Sequence, residues 1–285
     1  EYERENYMNK TKEGTSMKWM KKTVIMVLLL VIVGGTFHVQ AAYHTRLITD
    51  YVEKVDLNKD GKKEILKLKQ NNKTYSNQLY INGKLMKNNI FDIWIIDIDT
   101  RDRYIEIAVT GDSVNKLWIY RYNGKKLVLY ASAKFDSYAT GLKKKNYVLQ
   151  AYNEIDDIKP SGKGKVAIHT LLRTKSAKGK NGKGCYLDTW LNYAVKKNTI
   201  KFDQSMIYKV TMGDKYCMAT QKWNAYKYPR AKGNKMIFTV KKGESIKFTD
   251  IKITPDITYM KVKKIKTKQT GWIAFHTKDF DCVYF

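Results

Sequence analysis

The chain has 285 residues, of which 54 are Lys or Arg and 27 are Asp or Glu, for a formal net charge of +27. A 43% hydrophobic and 13% aromatic composition supports a packed core and excludes a disordered chain, and the length suits one large domain or two modest ones. With only three cysteines and three prolines, it is neither a disulfide scaffold nor a proline-rich linker.

Residues 1–16 precede Met17 and read as an over-extended start. Met17-Lys18-Trp19-Met20-Lys21-Lys22 is basic, Thr23 to Val33 is an almost unbroken apolar run, and Val39-Gln40-Ala41 supplies small residues for a signal peptidase. This order predicts a signal peptide over 17–41, cleaved after Ala41. An uncleaved anchor needs about 20 apolar residues, and Gly34, Gly35, His38 and Gln40 interrupt the run earlier. The expectation is a secreted or cell-wall-associated protein with no stable transmembrane span after cleavage.

Val55 to Ile65 opens a segment that returns, altered, as Ile96 to Ile107. In each, an apolar residue enters an acidic turn and a Glu-Ile pair leaves it into a strand-like alternation. Leu79-Tyr80-Ile81-Asn82-Gly83-Lys84 is echoed by Leu117-Trp118-Ile119 running on to Asn123-Gly124-Lys125. Both Asn-Gly pairs predict two-residue hairpin turns, where positive φ is required. A worn third copy lies at Asp157–Val166, with Asp157 at the opening position and Gly162 at the turn. Internal repetition of this kind indicates a β-repeat region, placed at 42–214. Ser176 to Gly184, rich in Lys and Gly, predicts an exposed hairpin tip.

Within the first copy Asp56, Asn58 and Asp60 stand at positions one, three and five, the Lys62 carbonyl at seven and Glu64 at nine, with Gly61 permitting a sharp turn. Calcium asks for such oxygens at short range, and the expected affinity is the millimolar range of extracellular modules. Lys59, Lys62 and Lys63 oppose binding, and an Asx-type turn whose carboxylates cap backbone amides satisfies the same pattern. In the second copy Arg101 stands at position five, so Asp97, Asp99, Asp102 and Glu106 form a weaker candidate set. Lys159, Ser161 and Lys165 leave the third copy no ligands.

Beyond Asp214 the repetition ends. Trp223 to Pro229, Ile237-Phe238-Thr239-Val240-Lys241-Lys242-Gly243-Glu244, Tyr259-Met260-Lys261-Val262-Lys263 and Thr270-Gly271-Trp272-Ile273 follow in order. This series resembles bacterial SH3-like domains, which implies a β-barrel at 215–285. Trp223, Tyr226, Tyr228 and Tyr259 are its candidate ligand-binding aromatics, whereas Trp272 reads as core. The repeats at Val52 to Tyr130 resemble FG-GAP/VCBS-type repeats, which implies calcium turns between strands. The fold class expected is therefore all-β, an antiparallel propeller-like or partial-propeller repeat region plus a C-terminal barrel. A bridge between Cys217 and Cys282 is left open, and Cys185 reads as a small buried hydrophobe.

The lysine-dominated positive charge attracts polyanions, or else serves solubility and edge protection. With export, cell-wall polymers or other anionic envelope components are the expected partners, and no nucleic acid is expected. No Cys–His pair or histidine cluster is legible, so the reading is a non-catalytic binding protein with no catalytic residues. The alternatives are a cell-wall or carbohydrate-active hydrolase targeted by its SH3-like part, and a spacer on the cell surface.

Overall fold

Hydrophobic alternation with period two sets the strands. In Tyr186–Lys196 the residues Leu187, Thr189, Leu191, Tyr193 and Val195 are buried, and those between them are half-exposed until Lys196 ends the strand. The computed structural model describes residues 42–111, 116–134, 149–174, 185–213, 215–219, 221–230, 232–254, 257–275 and 282–283. The segment 17–41 and the hairpin tip at 176–184 lie outside the described residues. Among the described residues the protein is all-β, and no helix is long and apolar enough to cross a membrane.

Strands are numbered in chain order. β1 (His44–Arg46) borders a five-stranded sheet, whereas β2 (Val52–Val55), β3 (Glu64–Gln70), β4 (Asn77–Ile81) and β5 (Lys84–Ile90) form a four-stranded antiparallel meander. A second meander follows in β6 (Ile93–Ile96), β7 (Glu106–Thr110), β8 (Lys116–Tyr122) and β9 (Leu127–Lys134), with β1 on its β6 edge. Both acidic loops therefore join the first two strands of a meander, the first between paired Val55 and Glu64 and the second between paired Ile96 and Glu106.

A third sheet starts with β10 (Leu149–Pro160), β11 (Lys165–Thr174), β12 (Tyr186–Lys196) and β13 (Thr199–Phe202). It continues through β14 (Tyr208–Met212) to β15 (Cys217–Ala219), β16 (Trp223–Tyr226), β17 (Met236–Val240), β18 (Ser245–Ile253), β19 (Thr258–Lys264), β20 (Thr270–Phe275) and β21 (Cys282–Val283). The order after β14 is β18-β19-β20-β16-β17, with β15 and β21 off this path. Among the described residues none of the three sheets closes into a barrel. β14 pairs with β12 through Val210–Met212 and with β18 through Tyr208 and Lys209, so the ladder runs across the position expected to separate two domains.

Strands β6 and β7 are buried on both faces. On one face Ile93, Ile95, Ile107 and Val109 join Leu66, Leu68, Leu79 and Ile81 of the first meander. On the other, Trp94, Ile96 and Ala108 join Ile158, Val166 and Ile168 of the third sheet. The same cluster extends through Val210 and Ile251 to Phe275. The β6–β7 pair is thus shared by two cores, and its continuous apolar runs follow from burial on both faces.

Asn82 and Gly83 both take positive φ (50° and 78°) between paired Ile81 and Lys84, the expected two-residue turn. The Asn123-Gly124 hairpin differs. Its closing pair is Tyr122 and Leu127, and the Asn123 side-chain oxygen accepts the Lys125 and Lys126 amides at 3.1 and 2.9 Å. That side-chain bond favours a longer Asx-type loop over the tight turn. The third copy also departs from expectation: Asp157 lies inside β10, paired with His169, and the turn is confined to the residues between Pro160 and Lys165.

Gly271 shows how tightly the C-terminal strands pack, because a Cβ there would stand 3.0 Å from side-chain carbons of Ala225, Ile237 and Phe238. Gly271→Val should cost about 1–3 kcal/mol of stability through overpacking. Chemical denaturation checks this, with the midpoint falling at unchanged slope.

Candidate functional site

Glu64 and Glu106, the first residues of β3 and β7, are buried and serve one purpose. Each carboxylate reaches back across its loop to a main-chain N–H, Glu64 to Leu57 at 2.9 Å and Glu106 to Ile98 at 3.2 Å. A buried amide without a partner is costly, so these bonds fix the entry of each loop.

Around the first loop the remaining candidates also cap the backbone. Asp56 accepts the Asp60 and Gly61 amides at 3.0 and 2.8 Å, and Asp60 accepts that of Lys62 at 2.9 Å. The Lys62 amide, with the Asn58 side chain, holds the Asp60 carboxyl below its usual range. Asn58 receives the Asp60 amide at 3.3 Å and donates its own Nδ2 to Asp60 at 2.9 Å. Gly61, at φ 89°, permits the turn. Asp56, Asn58 and Asp60 are therefore brought together, joined by the Lys62 backbone, while Glu64 is turned inward. Each carboxylate oxygen keeps a second lone pair beyond the amide it caps.

The second loop is held by cations. Lys59, projecting from the first loop, lies 3.2 Å from Asp97 and donates to the Asp102 carbonyl at 2.9 Å. Asp99 is paired with Arg101 through Nε and Nη2 at 2.8 and 2.7 Å. Arg121, on β8, binds Glu106 at 2.7 and 2.9 Å and is paired with Asp102 as well. Its guanidinium lies 3.7 Å from the ring centre of Tyr130 and 4.7 Å from that of Tyr104. These four acids meet Lys59, Arg101 and Arg121 in place of a metal, and the set does not fit calcium. Burial raises the Asp97 carboxyl despite Lys59. Burial also pushes Glu106 up to about 7, against the pull of Arg121 and the Ile98 amide.

The loops are bonded to one another in series. Ile105 N–H donates to the Leu57 carbonyl at 2.9 Å, linking the first to the second. Thr100 N–H donates to Gly162 at 3.1 Å, and Gly164 N–H to Ile98 at 2.9 Å, linking the second to the third turn. In that turn the Ser161 hydroxyl accepts the Lys163 and Lys165 amides at 3.1 and 3.2 Å. Among the described residues no group of three or more His, Cys, Asp and Glu side chains is placed to hold a metal.

The aromatic candidates are divided by burial. Trp223 and Tyr259 are core side chains, with Trp223 packed edge-on against Phe275 at 5.4 Å. Tyr226 stands opposite Trp272 across β16 and β20, and Trp272 is buried as expected of a core residue. Tyr228 is exposed, with the Arg230 guanidinium 4.9 Å from its ring. The four do not line one open groove. Cys185 and Cys217 are buried, and β21 sets the backbone of Cys282 opposite Ala219.

Two features escaped the sequence. Arg121 carried no signal beyond being a cation on a strand, and its partners lie 15 and 19 positions away. His169 sits between Asp156 at 2.8 Å and Asp188 at 2.5 Å, stacked on Trp190 at 4.8 Å, with the Lys159 ammonium 4.1 Å from that ring. The period-two rule places His169 on a face, but only the pairing of β10, β11 and β12 supplies its neighbours.

No family model matches the chain, and no curated protein and no solved structure matches it significantly.

The Arg121 network yields two expectations. Arg121→Met strands the buried Glu106 carboxylate and should cost about 3–5 kcal/mol, read by denaturant unfolding at pH 8. Adding Glu106→Gln should recover much of that loss. The second concerns pH. The folded protein keeps a proton on Glu106 that the unfolded chain releases between about 4.5 and about 7. Glu106 therefore makes stability fall as pH rises through that window and level off above it. Glu106→Gln should remove this slope from melting curves recorded between pH 5 and 7.

Proposed function

We propose that the chain is an exported, non-catalytic binding protein held at a bacterial cell envelope by attraction to anionic polymers. The observation that carries this reading is the charge of +27, little of which lies in residues 1–41. A field of that sign concentrates polyanions, and lysine in excess over arginine suits diffuse complementarity more than bidentate recognition. Export rests on the basic, apolar and small-residue order of residues 17–41.

The repeat reading is supported by two successive four-stranded meanders, each with an acidic loop between its first two strands and each braced by a glutamate at the start of its second strand. The SH3-like reading is supported by the order β18-β19-β20-β16-β17, with the Lys241-Lys242-Gly243-Glu244 turn leading into β18 and Gly271 at a close strand crossing.

Binding to purified cell walls tests the proposal. Retention should fall steeply between 0.1 and 1 M salt, as the Debye length contracts from about 10 to about 3 Å. Stripping the anionic polymers from the walls should abolish it. Retention that survives both treatments would reject the charge-based reading.

Calcium enters this reading through the first loop alone. Where calcium equals its dissociation constant the gain is about 0.4 kcal/mol, so the melting temperature should rise slightly with calcium and return with chelator. Asp60→Ala should abolish the rise and Asp99→Ala should leave it. A melting curve unmoved by tens of millimolar calcium would reduce the loop to an Asx-type turn.

A further inference from the structure

A hollow of about 380 Å³ opens where three separate segments meet. Tyr104 comes from the end of the second acidic loop, Arg121 and Tyr130 from the β8–β9 hairpin, and Lys197 from the turn between β12 and β13. That turn is docked on β9 by the Asn198 amide, which donates to the Tyr130 carbonyl at 2.7 Å. The volume is that of a small-molecule site.

Its polar lining is rich in donors and poor in acceptors. Arg121 uses Nε and Nη2 on Glu106 and Asp102, and Nη1 takes no acceptor among the described residues. The Lys197 ammonium and the hydroxyls of Tyr104 and Tyr130 likewise have no partner among the described residues. Asn123 offers only its Nδ2, because its oxygen already accepts two backbone amides. Beside these donors Val128 and Leu129 present apolar side chains that are 44% and 50% exposed. The Lys197 ammonium, the remaining Arg121 N–H and the Asn123 Nδ2 only donate, and the two tyrosine hydroxyls can donate as well as accept, so the lining suits an acceptor-only group, and charge-assisted bonds to a carboxylate or phosphate are about twice as strong as neutral ones. The exposed Val128 and Leu129 call for apolar surface on the same ligand.

We propose that this hollow binds an amphipathic anion, a carboxylate or phosphate group carried on a compact apolar or aromatic body. Arg121 and Lys197 meet the anionic group, and Val128 and Leu129 cover the body. Arg121 is preorganised for this, since Glu106, Asp102 and the two tyrosine rings already fix its guanidinium. The proposal stands apart from the envelope reading, and wall binding is not among its readouts.

Titration calorimetry on the full chain with phenyl phosphate, benzoate, inorganic phosphate and phenol tests it. Saturable binding of phenyl phosphate or benzoate at least tenfold tighter than that of inorganic phosphate and of phenol is expected, and the two aromatic anions distinguish a phosphate from a carboxylate preference. Lys197→Glu should weaken the better aromatic anion at least tenfold. Lys201→Glu makes the same charge change at an exposed position on β13 outside the hollow and should alter affinity less than twofold. Val128→Ser should narrow the advantage over inorganic phosphate. Equal effects of the two lysine variants would reduce the binding to bulk charge and overturn the proposal. So would inorganic phosphate binding as tightly as phenyl phosphate, or no saturable binding by either aromatic anion.

Discussion

Two buried carboxylates hold the first two meanders together. Glu64 and Glu106 each tie the first strand-to-strand loop of a meander back on itself through one main-chain N–H. Once the loops are fixed, their free carbonyls and amides pair with the next loop, from Leu57 through Ile98 to Gly162 and Gly164. The meanders and the third sheet are consequently coupled by backbone bonds between loops and by apolar side chains between the sheets. The third turn keeps its place in the series without a glutamate, because Ser161 accepts amides that the longer loops satisfy with acids.

The same arrangement shapes the charge. Asp97, Asp102 and Glu106 are directed at Lys59 and Arg121, and Asp250 is buried against Lys209 and Lys261. Carboxylates engaged in internal bonds contribute little outward field, whereas most of the described lysines are exposed. Burial also costs something: Glu106 is raised toward neutrality even with a guanidinium beside it, since removing a carboxylate from water opposes its charge more than one partner restores.

Strand β14 joins β12 to the C-terminal strands. It is bonded on one side to β12 and on the other to β18, and Val210, Met212, Phe248 and Ile251 belong to one apolar cluster. A truncation at residue 214 would strip β14 of its β18 partner and open that cluster.

What the sequence determined by itself was local. Alternating apolar residues specified the strands, Asn82-Gly83 specified a turn, and the one-three-five acidic spacing specified an acidic turn suited either to a cation or to capping its own amides. Each depends on neighbours within a few positions, where backbone sterics and side-chain reach decide. The longer Asn123 loop was not legible because one side-chain oxygen, bonding two amides, outweighs the tight-turn preference. The inward burial of Trp223 and Tyr259 was not legible, since an aromatic on a strand packs or binds according to which layer covers its face. Only the tertiary structure decided that Lys59 meets Asp97, that Arg121 meets Glu106, that His169 lies between two aspartates and that β14 adjoins β18. Those contacts join residues brought close by sheet order, and chain pairing across such separations is fixed by the burial of whole faces rather than by any local pattern.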